Sequence, residues 1–322
     1  MAGGPRITGV SPSLPTAAAL LVLWPGAARP DTGTAPPAPQ SLEEVVVSAP
    51  EPRFVAPTTR DRIGRIWTPV LINGKGPYRL VLDTGASRSA VIQRIVDDLQ
   101  LPVRAEGVRL RGVTGTAMVS AVDVQTMEFG ELLVEDTRMP IVADVFGGAD
   151  GVLGGEGLED KRIAIEFGRD RISIVRSNRA KGPTEYSVVP FKYSPARGMR
   201  ASVMVGNVKA TALIDTGAQR TVGNLALREA LARHRGERDD YEEAIIGVTE
   251  DIQQATRVRI PSIVAGQLIV RDAEIMFSDL YIFEHWKLDS KPALLIGMDV
   301  LGMLDTLIID YGRSELQIRT RH

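Results

Sequence analysis

One stretch of sequence occurs twice in this chain, and this repeat limits the possible folds more than any other feature. Residues 79–89 read RLVLDTGASRS, and residues 211–221 read TALIDTGAQRT. The aspartates of the two copies, Asp83 and Asp215, are 215 − 83 = 132 residues apart. Self-similarity at a fixed offset indicates two copies of one structural unit. We therefore expect two halves with the same topology.

Further matches follow each copy in the same order. The tripeptide Gly-Val-Thr begins 29 residues after the first aspartate, at Gly112, and 32 residues after the second, at Gly247. An element of two apolar residues and a glycine then ends at Gly154 in the first copy and at Gly297 in the second. These matches extend the repeat over most of the chain.

The local pattern of the repeat is that of a β protein. Short apolar runs broken by Gly, Pro and Asn are typical of strands and tight turns. Helical pattern is limited to residues 91–99 and to the charged stretch 225–243. We predict an all-β fold with short helices, built as two β-barrel-like lobes at residues 57–180 and 186–322 that are related by a pseudo-twofold axis.

The composition excludes several classes of chemistry. The chain has no cysteine, which excludes disulfides, thiolate zinc sites and a cysteine nucleophile. Its three histidines, His234, His285 and His322, stand in no metal-ligand or nucleophile pattern. A net charge of −2 lacks the basic excess of a nucleic-acid binder. We expect no metal, no cofactor and no nucleic-acid partner.

The first 56 residues have the pattern of an export segment. Residues 17–24 are apolar, and the small residues 26–28 that follow suit a signal peptidase. We predict a signal peptide at 1–28, a Pro- and Ala-rich linker at 29–56, and an exported, periplasmic product without a transmembrane segment. The mature chain should begin near Arg29, which mass spectrometry of the exported protein tests. The alternative is a disordered extension of a cytosolic protein.

Two short elements of the linker have alternative interpretations. The segment from Glu43 to Ala49 resembles the TonB box of outer-membrane receptors, which implies TonB-type coupling, but it equally suits an outer β-strand.

Asp31, Thr32 and Gly33 form a third Asp-Thr-Gly tripeptide. Since no strand precedes this tripeptide, we assign it no role.

The two repeated aspartates are the candidate catalytic residues of this chain. An apolar strand that runs into Asp-Thr-Gly brings a carboxylate to a sharp turn, and the glycine permits close approach of a second backbone. If the two halves pack about a pseudo-twofold axis, Asp83 and Asp215 face each other, with the hydroxyls of Thr84 and Thr216 available to bond the opposite loop. Two adjacent carboxylates share one proton, so the pair supplies a base and an acid for peptide hydrolysis. The structural alternative is that both are ordinary turn aspartates.

These motifs resemble the aspartic proteases of the pepsin and retropepsin group, from about Pro57 onward. The resemblance implies the bilobal acid-protease fold and endopeptidase activity on protein or peptide substrates without metal or cofactor. It also implies a catalytic dyad of Asp83 and Asp215. One chain supplies both lobes, so a monomer suffices for activity. Support for the dyad would come from Thr84, Gly85, Thr216 and Gly217.

The resemblance also implies two flaps that close over the substrate. The sequence departs from the pattern of the family in two respects, which are given after the flap residues. The first flap would contain Gly112, Val113, Thr114 and Gly115, and the second Gly247, Val248 and Thr249. The first flap lacks the tyrosine of pepsins. Gln219 stands where the family usually has a small hydroxyl or acidic residue, which bears on the support of Asp215.

Two other classes of function are open at this stage. A catalytically inactive peptide-binding or adaptor protein would keep the bilobal fold without the reaction, and Gln219 is the feature that suggests it. A phosphotransferase of the actin and hexokinase type also uses an Asp-x-Gly turn after a strand. That fold needs long helices between its strands, and the sequence shows few.

Overall fold

The computed structural model describes residues 55–57, 66–194, 198–233, 241–246 and 252–321. The signal segment 1–28, the segment 43–49 and residues 247–249 lie outside the described residues, as does the linker 29–56 apart from its last two residues.

The first half of the described chain is built mainly from strands, with one short α-helix and a 3-10 turn at Phe167–Arg169. Its elements are β1 (Val55–Pro57), β2 (Trp67–Ile72), β3 (Lys75–Leu82), β4 (Ala90–Ile92), α1 (Gln93–Leu99), β5 (Val108–Arg111), β6 (Thr116–Val119), β7 (Ala121–Phe129), β8 (Leu132–Val142), β9 (Gly151–Leu153), β10 (Lys161–Glu166) and β11 (Arg171–Arg176).

The second half repeats this plan with three short helices. Its elements are β12 (Ser187–Ser194), β13 (Gly198–Val205), β14 (Val208–Ile214), β15 (Val222–Gly223), α2 (Leu225–Ala232), β16 (Tyr241–Ile246), β17 (Ile252–Ala265), β18 (Leu268–Phe277), α3 (Tyr281–His285), β19 (Ala293–Ile296), α4 (Met298–Leu301), β20 (Leu304–Asp310) and β21 (Glu315–Thr320).

Each half closes a ring of six strands, and the order is the same in both. The first ring is β2-β3-β9-β4-β8-β7. The second ring is β13-β14-β19-β15-β18-β17, closed by the pairing of β13 with β17. Parallel and antiparallel pairings also fall at the same places, since β3–β9 and β14–β19 are both parallel. The all-β, two-lobed architecture predicted from the repeat is therefore confirmed.

The strands that join the halves continue the sheet of the second ring through β12, which pairs with β13. Their order is β1-β11-β10-β20-β21-β12, with three strands from each half, and they carry the approximate twofold relation. The central pairing is antiparallel between β10 and β20, where Ile163 lies opposite Ile309. Both isoleucines are fully buried. The two halves thus share one apolar core, which contains both of these isoleucines.

The prediction of a helix over residues 225–243 was too long. Helix α2 begins after Asn224, whose side chain caps it by accepting from the backbone N–H of Leu227 at 2.9 Å. The helix ends at Ala232, and Tyr241–Ile246 forms strand β16 instead. Pairing of β16 with β17 satisfies the backbone of this segment, and such tertiary pairing overrides weak local preference.

Candidate functional site

Asp83 and Asp215 stand at the ends of equivalent strands, where the two halves meet. The last three residues of β3 and of β14 are all buried, because a parallel neighbour and packed side chains cover the ends of both strands. The N–H of Asp83 then donates to the carbonyl of Leu153 at 2.9 Å, and the N–H of Asp215 donates to that of Ile296 at 3.0 Å. Each aspartate is therefore held by the strand that ends in the repeated apolar-apolar-Gly element.

The two threonines, called here the threonine pair, bond across the junction of the halves. The hydroxyl of Thr84 donates to the carbonyl of Ile214 at 2.8 Å, and that of Thr216 donates to the carbonyl of Leu82 at 2.6 Å. Each hydroxyl also accepts from the backbone N–H of the other threonine, at 3.2 and 3.1 Å. Four buried, reciprocal hydrogen bonds thus fix one Asp-Thr-Gly loop against the other.

Backbone N–H groups hold each carboxylate in place. Oδ1 of Asp83 accepts from Gly85 at 2.8 Å and from Ala86 at 2.9 Å. Oδ1 of Asp215 accepts from Gly217 at 2.9 Å and from Ala218 at 3.0 Å. The same two bonds occur in each loop, so both carboxyl groups have the same orientation relative to their own turn.

The two glycines are required because each lies against the carboxyl group of the opposite loop. A Cβ atom placed on Gly85 would lie 2.7 Å from Cγ of Asp215. One placed on Gly217 would lie 2.5 Å from Oδ2 of Asp83. Real side chains do not approach this closely, so glycine is the residue that lets the two loops meet. The structure therefore brings together Asp83, Asp215 and both of their adjoining turns.

The environment of Asp215 favours its protonated form. The side chain is only 6% exposed, and it is hydrogen-bonded to the carboxyl group of Asp83. Burial, followed by the nearby charge of Asp83, raises the pKa of Asp215 well above its ordinary value, while the N–H groups of Gly217 and Ala218 oppose the rise. Two carboxyl groups in this arrangement hold one proton between them.

A hydroxyl and an acidic side chain support each loop, and sequence analysis missed both pairs. In the first half, Ser89 accepts at Oγ from the N–H of Gly154 at 2.9 Å, and its own N–H donates to Glu156 at 2.6 Å. In the second half, Thr221 accepts from the N–H of Gly297 at 3.1 Å, and its hydroxyl donates to Asp299 at 2.7 Å. Burial raises the pKa of Asp299.

The supporting residues occupy equivalent positions in the two copies of the repeat, so the sequence could have identified them. Ser89 and Thr221 both stand six residues after the dyad aspartates, and Glu156 and Asp299 both stand two residues after the matched glycines. Gln219, in contrast, is exposed, and only its backbone carbonyl takes part, by accepting from the N–H of Asp299 at 3.1 Å. The support of Asp215 therefore does not depend on the side chain at position 219.

The residues predicted to form the first flap make the turn of a hairpin. Strands β5 and β6 pair from Val108 with Val119 to Arg111 with Thr116. The N–H of Gly112 donates to the carbonyl of Gly115 at 2.9 Å and closes the turn, which includes Val113 and Thr114. The residues predicted for the second flap, Gly247, Val248 and Thr249, lie outside the described residues.

Two other kinds of feature are missing from the described part of the chain. Within the described ranges, no three His, Asp or Glu side chains are grouped so that they could hold a metal ion. No helix in the same ranges is both long and apolar enough to cross a bilayer.

A known protein family matches this chain in sequence. A family model described as aspartyl protease matches residues 68–156 and 201–300, one segment in each half and together more than half of the chain. Among solved structures, 196 chains match. One is the crystal structure of aspartic proteinase from Irpex lacteus, with 13% identity, a TM-score of 0.49, and coverage of 83% of this chain and 97% of that chain. A search of curated proteins found no match.

Proposed function

The chain belongs to the aspartyl protease family, and on that premise we propose that it is an aspartic endopeptidase with Asp83 and Asp215 as its catalytic dyad. The observation that supports the proposal best is the hydrogen-bonded pair of carboxyl groups, one from each half and each clamped by two backbone N–H groups. A turn aspartate with a purely structural role would not need a second carboxyl group beside it.

The difference between the two carboxyl groups assigns their roles. Asp215 is the protonated member, because its pKa is raised by burial and by the charge of Asp83. Asp83 is then the charged member and the general base. This division places an acid and a base within one hydrogen bond of each other, as general acid–base catalysis requires.

The reaction follows from this division of the proton. Asp83 takes a proton from a water molecule as its oxygen bonds to the peptide carbonyl carbon. Asp215 gives its proton to the carbonyl oxygen, and a neutral gem-diol forms. In the second step the proton on Asp83 passes to the amide nitrogen and the C–N bond breaks. A gem-diol proton returns to Asp215 as the carbonyl reforms. The products are a carboxylic acid and an amine, and the dyad again holds one proton.

The adaptor alternative has less support than the sequence suggested. It was suggested by Gln219, but this side chain is exposed and the loop of Asp215 is supported through Thr221 and Asp299. Both supports, both carboxylate clamps and the complete threonine pair are present. A chain that only bound peptides would have no chemical need for this set of contacts.

The test is cleavage of a diverse peptide library by the chain between pH 3 and pH 8, with and without a pepstatin-type inhibitor. We expect cleavage that the inhibitor blocks, since the inhibitor occupies the dyad as the gem-diol would. Added chelator should have no effect on the rate. If the folded protein cuts no peptide at any pH, the proposal is wrong and the binding-only alternative takes its place.

A further inference from the structure

The backbone that supports the two Asp-Thr-Gly loops differs between the halves at one position. In each half, the residue between the matched glycine and the supporting acid donates its N–H to the loop. Gly155 donates to the carbonyl of Ala86 at 2.9 Å, and Met298 donates to that of Ala218 at 2.8 Å. Met298 carries a side chain that is 4% exposed, whereas Gly155 carries none. Because protein interiors are close-packed, another group is needed beside Gly155.

The group beside Gly155 is the side chain of Tyr193, which comes from β12 in the second half. A Cβ atom placed on Gly155 would lie 2.9 Å from the hydroxyl oxygen of Tyr193 and 3.3 Å from the carbonyl oxygen of Ala86. The hydroxyl donates to the carbonyl of Gly155 at 3.5 Å, which is a long and weak hydrogen bond. The end of Tyr193 therefore lies against the backbone that supports the first Asp-Thr-Gly loop.

A second tyrosine holds the ring of Tyr193 from within the second half. Tyr311 directly follows β20 and packs edge-on against Tyr193, with ring centres 4.9 Å apart and an angle of 84° between the ring planes. Phe191, also in β12, packs edge-on against Tyr311, with ring centres 5.9 Å apart. Edge-on packing is a preferred geometry of aromatic pairs. The direction of the Tyr193 side chain is thus set by the second half.

The hydroxyl of Tyr193 does not titrate in the pH range proposed for the reaction. Burial, followed by the charges of Glu159 and Glu156, raises the pKa of Tyr193 to about 12. The hydroxyl is therefore a donor to the carbonyl of Gly155 throughout pH 3 to pH 8. Any effect of Tyr193 on the pH dependence of the rate must come through the aspartates.

We propose that Tyr193 is a positioning residue for Asp83. The proposal rests on the proposed function, since it concerns one member of the same dyad. Three contacts in series connect the two side chains. The hydroxyl of Tyr193 contacts the carbonyl of Gly155, the N–H of Gly155 donates to Ala86, and the N–H of Ala86 donates to Oδ1 of Asp83 at 2.9 Å. A residue of the second half thus fixes the carboxyl group that the first half contributes.

Loss of this positioning has a chemical consequence that ordinary packing does not have. A hydrogen bond to the charged form of a carboxyl group lowers its pKa. If Gly155 shifts, Ala86 shifts with it, and the clamp on Asp83 weakens. The charged form of Asp83 then loses part of its stabilisation, so a higher pH is needed to form the base. The acid side of the profile of kcat/KM against pH moves to higher pH.

The test is a double-mutant cycle at Gly155 and Tyr193, read out as kcat and as the pH profile of kcat/KM. Gly155→Ala places a methyl group against the hydroxyl oxygen of Tyr193, and Tyr193→Phe removes that oxygen but keeps the ring. We expect Gly155→Ala to lower kcat by about 10-fold or more, and to move the acid side of the profile upward by about 0.5 pH unit or more. Adding Tyr193→Phe should raise kcat to the level of Tyr193→Phe alone. Independent effects of the two substitutions would overturn the proposal.

Two control variants separate positioning from packing in this part of the second half. Tyr186→Phe removes the hydroxyl of a tyrosine that lies one residue before β12 and packs against the guanidinium of Arg319 instead. It should leave kcat and the pH profile unchanged. Val189→Ala removes apolar side-chain volume from the buried face of β12. It should lower Tm without moving the pH profile. An equal shift of the profile in Val189→Ala and in Gly155→Ala would contradict the positioning role.

Hydrogen exchange at two matched amides tests the contact without cleavage. Ala86 and Ala218 each donate to the carboxyl group of their own loop, so both amides should exchange slowly in the wild-type protein. Tyr193→Leu should speed exchange at Ala86 by about 10-fold or more and leave Ala218 unchanged. If the wild type cleaves no peptide, the proposed function fails, while this comparison still decides whether Tyr193 fixes the first loop. No change at Ala86, or an equal change at both amides, would overturn the proposal.

Discussion

Asp83→Asn and Asp215→Asn are each expected to lower kcat for peptide cleavage by about 10³-fold or more, since positioned acid–base groups contribute roughly 10²–10⁴-fold each. Asn at position 83 removes the base that takes the proton from water. Asn at position 215 removes the acid that protonates the carbonyl oxygen. Steady-state kinetics on a peptide found in the library screen measure both effects, and the loss should appear in kcat rather than in KM.

The same substitutions are expected to leave the fold intact, which separates loss of chemistry from loss of structure. An asparagine keeps an oxygen in place of Oδ1, so the N–H groups of Gly217 and Ala218 keep their acceptor at position 215. Near-wild-type activity in either variant would contradict the shared-proton mechanism. A variant that fails to fold would show in circular dichroism.

Thermal melting against pH provides the control for the shared proton. The pKa of Asp215 is raised in the folded protein, so the folded state binds the proton more tightly than the unfolded state does. The stability from this group is fully present below about pH 4, where the unfolded carboxyl ionises, and is lost as the pH rises through the folded pKa. Asp215→Asn should therefore raise Tm relative to wild type more at neutral pH than at pH 3. An equal Tm difference at both pH values would show that the proton is not shared.

Thr216→Val is expected to lower both stability and activity. It removes the hydroxyl that donates to the carbonyl of Leu82 and accepts from the N–H of Thr84, so two buried backbone groups lose their partners. Each such loss costs about 1–3 kcal/mol. Since the conversion is about 2–4 °C per kcal/mol for chains of about 150–250 residues, we expect Tm to fall by about 4–24 °C. The dyad should also lose alignment, with roughly a 100-fold fall in kcat.

Two control variants separate the role of the threonine pair from ordinary packing. Thr216→Ser keeps the hydroxyl and should recover most of the activity. Thr68→Val removes another buried threonine hydroxyl, one that donates to the carbonyl of Leu80 at 2.9 Å within the first half. It should lower Tm without lowering kcat. If Thr216→Val behaves like Thr68→Val, the threonine pair stabilises the fold but does not position the dyad.

The sequence was sufficient for the parts of the site that lie within one short segment. Each Asp-Thr-Gly turn follows an apolar strand, and the clamp on each carboxylate comes from the next two or three residues. Such contacts are local, so the spacing of residues along the chain predicts them. The repeat added the relation between the two copies, because two similar units with one buried face each are expected to pack on one another.

Contacts between distant segments could not be predicted in the same way. Ser89 meets Glu156 and Thr221 meets Asp299 because β4 pairs antiparallel with β9, and β15 with β19. These pairings bring together chain segments that are 67 and 78 residues apart. The contact of Val113 with α3 depends on how the two rings are oriented relative to each other, and no local pattern encodes that orientation. Local preference and periodicity therefore account for the turns that hold the carboxylates. The packing of one half on the other placed the carboxylates together, raised the pKa of Asp215 by burial, and brought the hairpin tip against α3.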